Sequence, residues 1–497
     1  MISLPRLAEG RRFRAGKARA ANLRLCAFAL SALCSGCAVG PDFEPPAPPP
    51  LERYTPEETV SPGNGQSFVP GDEVLAQWWT VFGSDRLDGL IDEAIRHSPT
   101  LEAAREAIRI ADYNTHAAAG AFFPQLQLGS NSSYNYASGD STTNTVTQST
   151  YSSFALSATV NYTLDIWGAN WRRVEGANAL REVQVYQLQA AHTLLASRIA
   201  MGAIEEASLR AQIAATKKSI ALEEQRLALL ERQLAYGKIP GAEVLSERAA
   251  LAQTQQTLPA LENSLKQQRT LLTALAGRYA SEGIEETFEL SELTLPRDLP
   301  ISLPSHLVEQ RPDVKAATAS LHSASAQIGV AVAARLPQIT LTAGGGTTAF
   351  ELAQLFHPGT FAYSFAGNIA QTAFDGMTLY SNQKAAEASY RQIEAQYRDT
   401  AIKAFQEVAD ALHALQSDAR AVGASRTAEA MTRKYLDTVR ARHAFGDASQ
   451  LAVVDAQRSY LAAAVARIQA EAKRLSDTVT LFVALGGGWG KGEWKRG

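Results

Sequence analysis

The sequence predicts a mainly α-helical chain that carries a small set of β-strands and is assembled from two copies of one plan. Three features predict this class. An ordered set of landmarks returns after about 210 residues. Four short stretches alternate apolar and polar residues with period two. Two long proline-free stretches keep a seven-residue apolar beat.

The chain has 497 residues, and its first 36 hold seven basic residues, one acid, a short apolar core from Leu25 to Leu33, and then Ser35 and Gly36. This reads as a secretory signal over 1–36. Cys37 follows the small residues as in a bacterial lipoprotein signal, so Cys37 is expected to be acylated and to open the mature chain. The usual leucine three positions before the cysteine is replaced by Cys34, with Leu33 one further back. Ala38 lacks the aspartate of inner-membrane retention, which favours the outer membrane. Two or three acyl chains, at roughly 0.8 kcal/mol per buried CH₂, make a stable anchor. No cysteine follows Cys37, so neither a disulfide framework nor a cysteine zinc site is expected. Prolines crowd the stretch from Pro41 to Pro50, and 37–75 reads as a lipidated, semi-rigid tether.

The landmarks pair Phe122-Phe123-Pro124-Gln125-Leu126 with Arg335-Leu336-Pro337-Gln338-Ile339, Asp165 with Asp375, and Tyr236-Gly237 with Phe445-Gly446, at offsets of 213, 210 and 209 residues. Repeat 1 then spans 76–280, an equatorial segment 281–304, repeat 2 305–486, and a tail 487–497. Each repeat opens with a helical stretch, 84–119 and 305–334. Strand pairs follow over 125–164 and 338–371. Phe154, Leu156, Ala158, Val160, Tyr162 and Leu164 alternate with small polar residues, and Phe361, Tyr363, Phe365, Gly367 and Ile369 do the same. The Ser/Thr/Asn-rich stretch Ala137–Thr150 reads as a hairpin tip. The apolar face requires either a second sheet or lipid. Four strands cannot close a membrane barrel, which needs about eight. Either several chains share one barrel or the strands lie outside a membrane.

Long helices are predicted over 170–235 and 377–444, each about 100 Å at 1.5 Å per residue. Ile213, Ile220, Leu227 and Leu234 step by seven, and Val408, Leu412, Leu415, Ala419 and Val422 alternate steps of four and three, so both helices should pack side by side with neighbours. After glycine turns come helices over 242–277 and 448–484, the first expected to kink or split at Pro259.

Composition narrows the function. Apolar residues make up 46% and charged residues 20%, as in globular chains. No stretch of about 18 uninterrupted apolar residues occurs in the body, which argues against a multi-spanning helical membrane protein but not against a barrel. The net charge of −3 splits into +6 over residues 1–36 and −9 over the remainder, so nucleic acid is not an expected partner. No HExxH, GxSxG elbow or phosphate-loop spacing is present; Gly486–Gly488 lacks the preceding strand and the following Lys and Ser. No enzyme activity and no cofactor are expected.

Several segments together resemble the outer-membrane factor (TolC-like) family of tripartite efflux systems, in its RND-associated lipoprotein (NodT-type) branch. They are Cys37–Asp42, Trp78-Trp79 with Phe82, Asn161–Gly168 ending in Asp-Ile-Trp-Gly, Gln310-Arg311-Pro312-Asp313-Val314, Ile328–Ala331, Val453–Gln457 and Leu485–Trp489. The resemblance implies a homotrimer whose chains give four strands each to one 12-strand outer-membrane β-barrel, continued by a long periplasmic α-helical barrel. It implies a passive duct for drugs, toxic compounds or metal ions, embedded in outer-membrane lipid, with a periplasmic adaptor and an inner-membrane RND-type transporter as partners. It also implies a periplasmic aperture, whose gate residues align with Asp455, Leu451 and Glu243. Relatives carry a further Asp and Arg where this chain has Ala452 and Ala448. Repeated by threefold symmetry, carboxylates would favour cations, and a leucine ring would dewet the pore. Read from position alone, Glu243 and Asp455 are carboxylates in first helical turns, where negative charge is favourable. Trp78, Trp79 and Phe82 read as core, and Arg311 as a helix-start cap or buried ion pair. The competing function is a structural or adhesive coiled-coil lipoprotein, which would leave the apolar strand faces unpartnered.

Overall fold

The computed structural model describes residues 38–57, 60–63, 65–71, 74–138 and 148–487. The expected signal, the expected acylation site Cys37, the hairpin tip 139–147 and the tail from Gly488, with Trp489, lie outside the described residues. The chain is mostly helical. In order it forms β1 (Ser67–Pro70), a 3₁₀ turn (Trp78–Phe82), α1 (Asp85–His97), α2 (Pro99–Ala119), β2 (Gln125–Ser138), β3 (Gln148–Leu164), α3 (Ala169–Ala235) and α4 (Gly241–Leu275). Then come β4 (Asp298–Ile301), α5 (Pro304–Gln310), α6 (Pro312–Ala333), β5 (Gln338–Ala349), β6 (Phe361–Ala370), α7 (Thr378–Ala444) and α8 (Gln450–Ala484). The long helices α3 and α7 have 67 residues each, and α4 and α8 have 35 each.

Three expectations are corrected. The helical stretches 84–119 and 305–334 are each two helices, broken at Ser98-Pro99 and Arg311-Pro312. Proline drives the residue before it out of the helical region, and Ser98 and Arg311 sit at ψ 118° and 126°. Conversely, α4 runs unbroken through Pro259. Gln255 and Pro259 lie on the exposed side of the helix, where water can take the carbonyl that proline leaves without its N–H. The Ala137–Thr150 tip is shorter than expected, because β2 reaches Ser138 and β3 starts at Gln148.

The described chain falls into two compact units. The first comprises residues up to Glu44, Asp112–Leu180 and Leu321–Ile393. Its centre is a four-stranded antiparallel sheet in the order β2-β3-β5-β6. The registers Leu126↔Val160, Val160↔Ala343 and Ala343↔Phe365 put all the even positions of β2 and β3 and all the odd positions of β5 and β6 on one face. That face carries Leu126, Leu128, Tyr134, Phe154, Val160, Ile339, Leu341, Phe361, Tyr363 and Phe365. The other carries Gln, Asn, Ser, Thr, Gly and Ala, with Tyr151. No residue of the four strands is charged. Every position of β6 is exposed. Gly346 is required by packing, since a Cβ there would come within 2.4 Å of the Leu156 carbonyl.

Two strand-to-helix elbows repeat one device. Asp165 accepts from the backbone N–H of Asn170 and Trp171 at 3.0 and 3.1 Å, capping α3, with Gly168 at φ +73°. Asp375 accepts from Thr378 and Leu379 at 3.1 and 2.8 Å, capping α7, with Gly376 at φ +66°. A carboxylate at a helix start satisfies otherwise orphaned donors. Trp167 ties the first elbow to the second half by donating its indole N–H to the Pro337 carbonyl at 2.7 Å.

Residues 38–43 are strapped onto this unit. Val39 donates its N–H to the Trp167 carbonyl at 3.0 Å, and buried Arg172 pairs with Asp42 at 2.7 Å and with Glu175 at 2.8 Å. Glu175 also meets His322 at 2.9 Å, and Phe43 stacks on the His322 ring at 4.5 Å. Gly40, at φ +101°, rests on Gly329 so closely that a Cβ would lie 2.4 Å from its Cα.

The second unit comprises Pro45–Ala111, Arg181–Ser320 and the chain from Glu394. Its core gathers Trp78, Phe82, Leu87, Ile91, Leu188, Ile199, Leu272, Phe288 and Phe482. Trp78 stacks on Phe482 at 5.8 Å, so the Trp78-Trp79-Phe82 group is core. A two-stranded parallel sheet, β1 with β4, was not anticipated; each strand has only four residues, too few for a periodic signal. Arg311 is 7% exposed and pairs with Asp313 at 2.7 Å and Glu407 at 2.6 Å, the buried ion pair of the two readings, while its donation to the Ala484 carbonyl at 2.8 Å caps the end of α8 rather than the start of α6. Glu206 is fully buried and accepts from Arg210 at 2.8 Å, Arg269 at 2.7 Å and the Phe288 N–H at 3.2 Å. On α7 the expected stripe Val408, Leu412, Leu415, Ala419 and Val422 is buried throughout. On α3 the expected beat drifts outward: Ile213 is buried, Ile220 and Leu227 are half-buried, and Leu234 is exposed. The buried stripe there runs through Thr216, Ser219, Glu223 and Leu230 instead.

Candidate functional site: the helical hairpin ends

Two glycine turns close the α3–α4 and α7–α8 hairpins. Gly237 and Gly446 stand at φ +69° and +79°, the left-handed C-cap conformation that glycine adopts without strain. Lys238 donates its N–H back to the Gln233 carbonyl and Asp447 to that of Arg442, both at 2.9 Å. Tyr236 and Phe445, each one residue before its glycine, are exposed. The Ser449 hydroxyl caps α8, accepting from Ala452 N–H at 3.3 Å. α4 has no side-chain cap at Pro240, and Glu243 supplies negative charge in its first turn.

Leu451 and Asp455 lie one turn apart on the exposed face of α8, with Leu451 56% exposed. Val453, Val454, Ala456 and Gln457 are buried on the opposite face. Leu451 and Asp455 therefore form one outward pair. Glu243 is half-buried on the other hairpin, at the start of α4.

Between the hairpins runs a buried polar seam that the sequence reading missed. Gln450 on α8 donates to Glu247 on α4 at 2.8 Å, and Arg226 on α3 donates to the Gln450 carbonyl oxygen at 3.0 Å. Glu223 on α3 accepts on Oε1 from Ser219 at 3.2 Å, from Thr254 on α4 at 3.1 Å and from Gln457 on α8 at 3.5 Å. Arg440 on α7 reaches the Gln457 side-chain oxygen at 3.2 Å. Burial pushes the Glu223 carboxyl up from the ordinary range; the Thr254 and Ser219 hydroxyls act the other way. Burial likewise lowers the Arg226 guanidinium. A signal was available: Thr216 and Glu223, Glu247 and Thr254, and Gln450 and Gln457 are polar pairs seven residues apart, the spacing of a helix seam.

No cluster of three or more potential metal ligands occurs among the described residues. No described helix is long and apolar enough to cross a membrane.

A family model described as outer membrane efflux protein matches residues 90–278 and 303–487. The cation efflux system protein CusC of Escherichia coli (O6:H1) is 28% identical over 469 residues, covering 94% of this chain and 99% of the relative. SilC of Salmonella typhimurium, described as a probable outer membrane lipoprotein, is 27% identical over 473 residues, with 94% and 99% covered. Among solved structures, the open state of the Neisseria gonorrhoeae MtrE outer membrane channel superposes with a TM-score of 0.77 at 25% identity, covering 91% of this chain and 98% of that one.

Proposed function

The chain belongs to the outer membrane efflux protein family, and from that premise we propose that three copies share one 12-strand outer-membrane barrel and together form a passive exit duct. The observation that carries this reading is the sheet. It is uncharged, with one aromatic and aliphatic face and one hydroxyl and amide face, and it ends at two edges, β2 and β6. Lipid suits the first face, and a watery lumen suits the second. Pairing β6 of each chain with β2 of the next removes every edge. The ten residues of β6 are enough to cross the hydrocarbon layer when tilted. Exposed aromatics stand near both ends of the strands, Phe123, Trp171 and Phe374 at one and Tyr134, Phe350 and Phe356 at the other, as at a membrane interface.

The equal helix lengths and the two family-model matches support a duplication of the whole plan. The hairpins extend the duct into the periplasm. Cargo (drugs, toxic compounds or metal ions) arrives from an inner-membrane RND-type transporter through a periplasmic adaptor. Leu451 and Asp455 narrow the periplasmic end, with Glu243 contributing charge from the first hairpin. Acylation at Cys37 fits the strap, because Ala38 packs on Gly168 at the sheet's base and the lipid would enter the membrane beside it.

Planar-bilayer recording tests the reading. Full-length protein extracted from membranes should give discrete channels, and Leu451→Ala with Asp455→Ala should raise their conductance severalfold. No channel activity in either form refutes the duct; equal conductance removes both residues from the aperture.

A further inference from the structure

The seam between the hairpins contains one atom that the other contacts leave without a partner. Glu223 is 4% exposed, its three donors all converge on Oε1, and its Oε2 is buried with no hydrogen-bond partner. The cations around it are aimed elsewhere: Arg226 at Gln450 and Glu247, Arg440 at Gln457, and Arg458 at Gln253. Glu247 faces the same seam from α4 and is itself satisfied by Gln450. An ionised carboxylate would place charge on a buried oxygen with no protein donor, an expensive arrangement. A carboxylic acid, with Oε1 as its carbonyl, keeps the Ser219 and Thr254 contacts, the Gln457 contact at 3.5 Å being the weakest, and an unpaired O–H costs less to bury than an unpaired charge.

We propose that Glu223 is a proton-binding site that locks the two hairpins together: it carries a proton while they are packed, and its ionisation loosens them. Glu223 contacts both α4 and α8, so the charge appears where three helices meet. The neutral form is the packed form. Packing is therefore complete at acidic pH and lost as pH rises through the folded-state titration. For the duct, this makes the periplasmic end pH-sensitive, a consequence that rests on the proposed function.

Hydrogen–deuterium exchange of the full-length detergent-solubilised protein between pH 5.5 and 8.5 tests the lock. After correction for intrinsic rates, amides of 247–257 and 450–460 should exchange faster as pH rises, by up to about tenfold per unit for one proton. Glu223→Gln, which keeps the shape without the charge, should abolish the slope and hold exchange at its low-pH level. Thr254→Val removes a hydroxyl that favours the ionised form, so its transition should move to higher pH. A flat wild type, or a Glu223→Gln protein with the wild-type slope, overturns the proposal. The exchange readout needs no channel, so a protein that keeps this slope yet gives no conductance refutes the duct and not the lock.

Discussion

The Glu206 triad predicts that two substitutions of the same ion pair have unequal costs. Glu206 has no exposed surface, whereas its partners Arg210 and Arg269 keep about a third and a quarter of their side chains in water. Arg269→Met leaves a carboxylate at the centre of the core with a single cation, and also frees the Ile284 and Glu286 carbonyls that Arg269 serves. Stranding a buried charge costs about 3–5 kcal/mol. Glu206→Gln instead leaves two guanidiniums that can turn to solvent, and the amide oxygen still accepts the Phe288 N–H; a cost of about 1–2 kcal/mol is expected. Replacing Glu206 and Arg269 together by Met should recover most of the loss, because an apolar pair strands nothing. The Phe288 amide reports directly, since it donates to Glu206. Its exchange should speed by roughly two to four orders of magnitude in Arg269→Met and by about tenfold in Glu206→Gln. Equal effects, or a change below about 1 kcal/mol in Arg269→Met, would refute the burial argument.

Three further outcomes are expected. His192 is buried near Arg105 and its imidazole is held down to about 4, so the unfolded chain binds a proton below its ordinary pKa of 6.5 while the folded one does not. Stability should therefore fall as pH drops from 6.5 toward 4, by about 3 kcal/mol at most; apparent melting at pH 7.5 and 4.5 should differ less in His192→Gln. Gly40→Ala forces a side chain into the Gly329 backbone at a left-handed φ, costing about 1–3 kcal/mol; limited proteolysis should then cut within residues 38–44, and unchanged protection would make the strap incidental. Trp78→Ala removes the ring stacked on Phe482 and should cost about 3–5 kcal/mol, read as a lowered apparent melting temperature, with a shift of only a degree or so counting against a tight core.

The parts of the fold that were legible in the sequence were those with a long period to read. Alternation from Phe154 to Leu164 and from Phe361 to Ile369 falls inside β3 and β6. The Val408–Val422 stripe is core. Short elements carry no period, so β1 and β4 leave no periodic signal, and the helix breaks at Pro99 and Pro312 each rest on a single residue. The apolar beat from Ile213 does not extend along α3, because the buried stripe there is polar, through Thr216, Ser219 and Glu223, and Glu223 Oε1 takes donors from Thr254 and Gln457 on facing helices. The proposed aperture residues show the same division. That Leu451 and Asp455 share a face follows from spacing alone, whereas the polar neighbours behind them emerge only when four helices are brought together.

The edges of the sheet have a consequence for how the channel is made. β2 has 14 residues and β6 ten, and each offers its outer row of backbone groups to no other strand among the described residues. A solitary chain pushed into hydrocarbon would strand those groups at several kcal/mol each. The total exceeds the whole folding stability of an ordinary domain, about 5–15 kcal/mol. For the shared barrel proposed above, insertion first and neighbour-finding afterwards is thus energetically closed: chains must meet before or while they cross. In water the same two edges, beside an uncovered aromatic face, are templates for indefinite strand addition. On the proposed trimeric assembly, the interval between export of a chain and its meeting with two others is its hazard period, and any factor that shortens or chaperones that interval governs how many channels a cell obtains.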